Sequence, residues 1–140
     1  MKLLDLAYNQ NINLQCTNKT DCIFMLTLNK SLENHIHTFH AAAIFSLAEA
    51  TSAQFLINTF KVFENSVVPL LRATNTKYKK PGLTNIYAKA ILMNESKEEI
   101  ISMLNNKKRA LVTIKVEVTD ETDSIIFTGT FEWFLSMNAQ

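Results

Sequence analysis

The sequence predicts an α+β fold in which a curved antiparallel sheet wraps around one long central helix. Three observations point to it. The stretch from Ala41 to Phe60 is rich in Ala, contains neither Gly nor Pro, and has Glu49 as its only ionisable side chain. Such content favours helix, and a helix that is apolar nearly all round needs cover on every side. The segments "CIFMLTL", "SVVPLLRATNTKYKK", "NIYAKAILM", "ALVTIKVEVTD" and "SIIFTGTFEWFLSM" have strand character, one before the helix and four after it. A sheet built from them and curved around the helix supplies most of that cover. Its edges remain open, and pairing with another copy is a common way to hide one.

The elements follow in order. Met1 to Tyr8 reads as a short helix, broken by "NQNINLQ". Cys22 to Leu28 is a strand, and "NKSLENHIHT" a loop. The long helix is expected from Phe39 to about Val62, with Thr38 as its N-cap. The next strand is interrupted by Pro69, a residue that belongs at a strand start or a sheet edge. "PGL", from Pro81, is a turn. In "NIYAKAILM", Ile86, Ala88, Ala90 and Leu92 alternate with Tyr87, Lys89 and Ile91, which is the period of a strand. "SKEEIISMLNNKKR" opens on Ser96, has Glu98 and Glu99 early, and has Lys107, Lys108 and Arg109 late. That is a short helix with charges matched to its dipole. "ETD" joins the last two strands into a hairpin, and the aromatics of "FEWFL" are expected in the sheet core.

Composition limits the function. At 140 residues, positions 1–140 are expected to form one domain. With 47% apolar and 19% charged residues, the chain can bury a real core. A formal charge of +1 leaves no electrostatic footprint for nucleic acid. Ser46, Glu49, Thr51, Ser52, Gln54 and Asn58 make the long helix costly to insert in a membrane. The N-terminus carries Asp5 and no long apolar run, unlike a signal peptide. Cys16 and Cys22 have no C-x-x-C spacing and read as reduced core thiols, which suits the cytoplasm.

Glu49 is the informative residue. On a helix its stripe holds Ala42, Phe45, Ser46, Ser52, Ala53 and Leu56, none of them cationic. If that stripe is buried, desolvation raises the carboxyl pKa towards the range of a general base. The alternative is an interface glutamate paired with a cation from elsewhere. The helix start is the second feature. The N–H groups of His40 and Ala41 lack intrahelical partners and could polarise a carbonyl, as in an oxyanion hole. Ala41 lies roughly 12 Å from Glu49 along a helix at ~1.5 Å per residue. A symmetric pair of antiparallel helices would bring one copy's helix start beside the other's Glu49. His35, His37 and His40 match no metal-binding spacing, so no metal is expected. The lysines of "KYKK", Lys77, Lys79 and Lys80, read either as a solvated strand end or as a contact for a phosphorylated ligand. With only two glycines, Gly82 and Gly129, the chain has no phosphate-binding glycine loop.

The order of these features resembles the hotdog-fold thioesterases. "HAAAIFSLAE" places His40 nine residues before Glu49, as in their glutamate-bearing branch, and Asn34 stands where that branch has a glutamine. The segment is also similar to a hotdog branch reading N-H-x-x-T-x-x-A-G-A followed by L-A-E. Asn34, His35, Thr38, Ala41, Ala43, Leu47, Ala48 and Glu49 match it. "TNTKYKKPGLTNIYAKA" looks like that branch's Y-x-x-P followed by A-x-A. Ala41 and Ala42 replace glycines common in these families, and His37 stands where glycine is frequent.

The resemblance implies hydrolysis of an acyl-CoA or acyl carrier protein thioester by a homodimer or a dimer of dimers. The carbonyl would rest on the Ala41 N–H. Glu49 of the other subunit would serve as general base or nucleophile. Asn34 would position water or the thioester, His40 would orient the leaving thiolate, and Lys77, Lys79 or Lys80 would meet CoA phosphates. No cofactor is implied beyond CoA as part of the substrate. Two other readings stay open: a non-catalytic hotdog protein that binds an acyl ligand or a partner, and a 3-hydroxyacyl dehydratase.

Overall fold

The computed structural model describes residues 2–93 and 95–138; Met1, where the first helix was expected to begin, lies outside them. Helix α1 (Ala7–Asn11) precedes strands β1 (Gln15–Cys16) and β2 (Phe24–Leu26). The long helix α2 (Ala41–Thr59) follows, then β3 (Val67–Tyr78), β4 (Ile86–Met93), helix α3 (Lys97–Lys107), β5 (Arg109–Thr119) and β6 (Ile125–Met137). The six strands form one antiparallel sheet in the order β1-β2-β4-β5-β6-β3. The sheet curves around α2, as expected.

The alternation of each strand decides what faces the helix. In β5, Ala110, Val112, Ile114, Val116 and Val118 are buried, and in β6 the buried set includes Phe127, Phe131, Trp133 and Leu135. Helix α2 contributes Ala43, Ile44, Leu47, Ala48, Ala50, Ala53 and Leu56 to the same core. Its small residues let the helix sit close to the sheet, and its polar ones are mostly satisfied locally. Trp133 Nε1 donates to Ser52 Oγ at 3.0 Å, and Ser52 Oγ donates to the Glu49 carbonyl at 2.7 Å. Gly129 leaves room between two rings of β6, since a Cβ there would lie 3.0 Å from both Phe127 and Phe131.

Thr51 is the exception. It is fully buried, and among the described residues its hydroxyl has no partner. An orphaned buried hydroxyl costs about 1–3 kcal/mol, and Val has the same branched shape without it. Thr51→Val is therefore expected to raise stability by about 1 kcal/mol. Urea denaturation should show a higher midpoint at an unchanged m value; a lower midpoint would mean that the hydroxyl finds a partner in solution.

Several expectations need correction. The first helix falls on Ala7–Asn11, starting late in the stretch read as helix and running three residues into the one read as its terminator. Asn9 allows this by turning its side chain inward to donate to the Leu3 carbonyl at 2.9 Å. The loop before α2 contains a short 3-10 turn, Lys30–Leu32, capped by Asn29. Helix α2 begins at Ala41, and His40 caps it in place of Thr38. Cys16 is exposed and Cys22 half-buried, so neither is a core residue. In "FEWFL" only alternate aromatics face inward: Phe131 and Trp133 are buried, while Phe134 is half-buried. Pro69 lies on β3, an edge strand, where its missing N–H is tolerated. Ser96 caps α3 by accepting from the Glu99 N–H, as its spacing predicts.

Candidate active site

The entry to α2 is held from three sides. Asn34 spends its whole amide on the preceding loop. Its Oδ1 accepts from Ile36 N at 3.0 Å and Thr38 N at 3.1 Å, while its Nδ2 donates to Thr38 Oγ1 at 2.7 Å and the Phe39 carbonyl at 3.3 Å. His37 sits in this loop at a φ of 63°, the left-handed region that favours glycine. The Phe39 N–H donates to the Gly82 carbonyl at 2.9 Å. A Cβ on Gly82 would come within 3.0 Å of the Phe39 ring, so the "PGL" turn needs glycine to approach this closely. Finally, the His40 N–H donates to the Leu32 carbonyl at 2.8 Å.

These bonds decide which helix-start donors are free. The His40 N–H, read from the sequence as half of an oxyanion hole, is already used. The Ala42 N–H donates to His40 Nδ1 at 3.0 Å, which places the ring proton on Nε2. The His40 carbonyl accepts from Ala43 N at 2.9 Å and Ile44 N at 3.2 Å. Among the described residues the Ala41 N–H has no acceptor. It points from an exposed helix start flanked by small side chains.

Glu49 sits two turns along the same helix. It is half-buried, and among the described residues its carboxylate has neither a hydrogen bond nor an ion pair. Burial alone pushes its pKa up from the ordinary value of 4.5. Phe45, one turn before it, packs on Phe131 with ring centroids 5.6 Å apart.

Strand β3 faces this stripe across a seam. Thr74, Thr76 and Tyr78 lie opposite Phe131, Gly129 and Phe127 of β6 and so share the helix-facing side of the sheet. A bulge between Leu71 and Ala73 preserves that direction, setting Leu71 opposite Trp133. The Tyr78 hydroxyl donates to the Ala41 carbonyl at 3.3 Å, and its ring meets Phe127 edge-on at 5.1 Å. Burial raises the Tyr78 phenol, with a hydrogen bond to Thr76 working against it. The sequence reading passed over Tyr78; the signal was its place in the Y-x-x-P pattern. Lys77, Lys79 and Lys80 are exposed around it, at the end of the seam nearest the helix start. His35 and His37 are also exposed, and His37 Nδ1 lies 3.0 Å from Glu33 Oε2. Among the described residues no three His, Cys, Asp or Glu side chains converge as a metal site would require.

One long helix embraced by a curved antiparallel sheet is the hotdog fold. The chain belongs to the family described as a domain of unknown function, DUF4442, whose model matches residues 9–135. No curated protein sequence matches it. Among solved structures, it is similar to PA5026 of Pseudomonas aeruginosa, a protein of unknown function named a probable thioesterase. The TM-score is 0.82 at 18% identity over 97% of this chain and 91% of that one. It is also similar to the thioesterase HI1161 of Haemophilus influenzae, with a TM-score of 0.75 at 10% identity over 99% and 88% of the two chains. A third is the BH2602 protein of Bacillus halodurans, solved with CoA, with a TM-score of 0.64 at 17% identity over 80% and 69%. No helix among the described residues is long and apolar enough to cross a membrane.

Proposed function

We propose that the protein hydrolyses acyl thioesters, with Glu49 of one copy acting on a carbonyl held by the Ala41 N–H of another. The observation that carries this reading is the coexistence on α2 of an unpaired, half-buried carboxylate and an unused helix-start N–H. The roughly 12 Å between them along the helix at ~1.5 Å per residue calls for two copies. Edge strand β3 supports such pairing. It runs from Val67 to Tyr78 at the end of the strand order, so an isolated protomer leaves its outer backbone unpaired.

In the reaction, the thioester oxygen accepts from Ala41 N–H, where the helix dipole favours the developing negative charge. Glu49 takes a proton from water as that water attacks the carbonyl carbon. The tetrahedral intermediate collapses and the carbon–sulfur bond breaks. The leaving thiolate takes up the proton that Glu49 collected, while His40 Nε2–H, exposed at the helix start, gives it a hydrogen bond. Asn34 acts at one remove: with its amide fully engaged, it positions the helix entry and does not touch substrate. Lys77, Lys79 and Lys80 meet the phosphates of CoA, a carrier supported by the CoA bound to the Bacillus halodurans neighbour. Two free thiols, Cys16 and Cys22, suit a cytoplasmic setting.

The test is thiol release from acyl-CoAs of graded chain length. Turnover above the no-enzyme rate for at least one substrate is expected. Tight acyl-CoA binding with no thiol released at any length would favour a binding protein instead, and release of water from a 3-hydroxyacyl-CoA would favour a dehydratase.

A further inference from the structure

Beyond Glu49 the seam between α2 and β3 changes character. Towards Tyr78 it is polar, with Thr74, Thr76 and the helix start. In the other direction Leu71 and Pro69 of β3 face the sheet side occupied by Trp133 and Leu135. A cavity of about 270 Å³ lies under the C-terminal end of α2, beside Pro69 and Leu135. Leu56 of α2, Phe60 just past its end, Val67 and Pro69 of β3, Leu104 of α3 and Leu135 of β6 line it, with Glu64 the one charged lining residue among the described residues. An apolar cavity of ~150 Å³ already holds a benzene ring, so this one has room for a longer apolar group.

Helix geometry connects the cavity to the site. Leu56 and Phe60 are seven and eleven residues past Glu49, two and three turns on, and so lie on its stripe. The rise from Glu49 to Leu56 is roughly 10 Å at ~1.5 Å per residue. A zigzag of ~1.5 Å carbon–carbon bonds advances about 1.25 Å per carbon, so roughly eight carbons cover it.

We infer that this cavity is the tail site for a straight acyl chain of about ten carbons or more, its carbonyl at the Ala41 and Glu49 end and its carrier leaving past Lys77 to Lys80. The inference rests on the proposed hydrolysis for its direction, and the gradient along the seam commits it to an amphiphile. An acyl thioester has that layout: a polyanionic carrier, a polar thioester and an aliphatic tail. Leu104 comes from α3, so this helix sets the floor of the cavity and the length it accepts.

The test compares butanoyl-, decanoyl- and hexadecanoyl-CoA, with calorimetric titration of butanoate and decanoate as a readout independent of turnover. Each methylene that enters the cavity should raise kcat/KM about fourfold (~0.8 kcal/mol). Leu104→Trp fills the floor, and Val68→Trp fills the mouth from a position already 42% exposed, where added bulk does not strain the core. Both should cut the preference for decanoyl over butanoyl at least tenfold and weaken decanoate binding. A flat chain-length profile, or one that neither variant alters, overturns the tail site and leaves hydrolysis standing. Decanoate binding lost in both variants, with no thioester turned over, supports the tail site and removes hydrolysis. Decanoate that does not bind, with no turnover, overturns both.

Discussion

Glu49→Gln should lower kcat for thioester hydrolysis by at least ~100-fold, the scale of a lost general base. The amide keeps the shape of the side chain and removes only its basicity, so KM should stay close to that of the native protein. Burial gives the same residue a second signature. Its pKa is raised above the ordinary 4.5, so the folded state favours the protonated form. That contribution to stability is fully present below 4.5 and is lost as pH rises through the raised value. At pH 8 the native carboxylate is ionised in a half-buried place without a partner. Glu49→Gln should therefore melt higher than the native protein at pH 8, and the gap should close near pH 4. For the native enzyme, kcat/KM should rise with pH through an inflection above 4.5. A variant that is slower but no more stable at pH 8 would point to a cation that neutralises Glu49 in the assembled protein. Native-like turnover would remove Glu49 from the reaction.

Much of this architecture is legible in the sequence because its signals are long and local. The alternation in "NIYAKAILM" gives β4 its buried face, the charges around Ser96 fix α3, and Pro69 marks an edge strand. Helix α2 is visible because a stretch free of Gly and Pro with one ionisable residue has few other places to go. The misses are where a side chain overrides propensity through a contact distant in sequence or absent from simple rules. Thr38 is a better N-cap than His by type, but its hydroxyl is taken by Asn34, and His40 Nδ1 caps instead. Asn9 extends α1 through a residue that reads as a breaker. Strand β1 spans only Gln15–Cys16, too short to leave a periodic signal.

The site divides the same way. Glu49 stands out because it is alone on an apolar stripe. The Ala41 N–H is legible as a helix-start donor, but the sequence does not reveal that Leu32 has already taken the neighbouring His40 N–H. Tyr78 was hidden because its relevance depends on register. Only the pairing of Tyr78 with Phe127 turns its ring to the helix side, where its hydroxyl reaches the Ala41 carbonyl. The apolar cavity was hidden for a related reason, since its walls come from α2, β3, α3 and β6 together.

Ala41→Pro tests the assembly of the site from two copies. Proline is tolerated at the first helical position, where the N–H is not needed by the helix. His40 precedes it with φ −61° and ψ 138°, the extended conformation that a residue before proline prefers. The substitution thus deletes one free N–H with little change in stability, and loss of an oxyanion donor costs about 10²–10³-fold in kcat. Ala41→Pro and Glu49→Gln are each expected to be nearly inactive alone. Mixed after unfolding and refolding together, half of the dimers should be heterodimers. Each of those unites one native Ala41 with the native Glu49 of the other copy and so holds one intact site of two. Activity should recover to about a quarter of the native level, a proportion that follows from twofold symmetry alone. If Ala41 and Glu49 worked within one chain, every chain in the mixture would carry a defect, and no recovery would be seen.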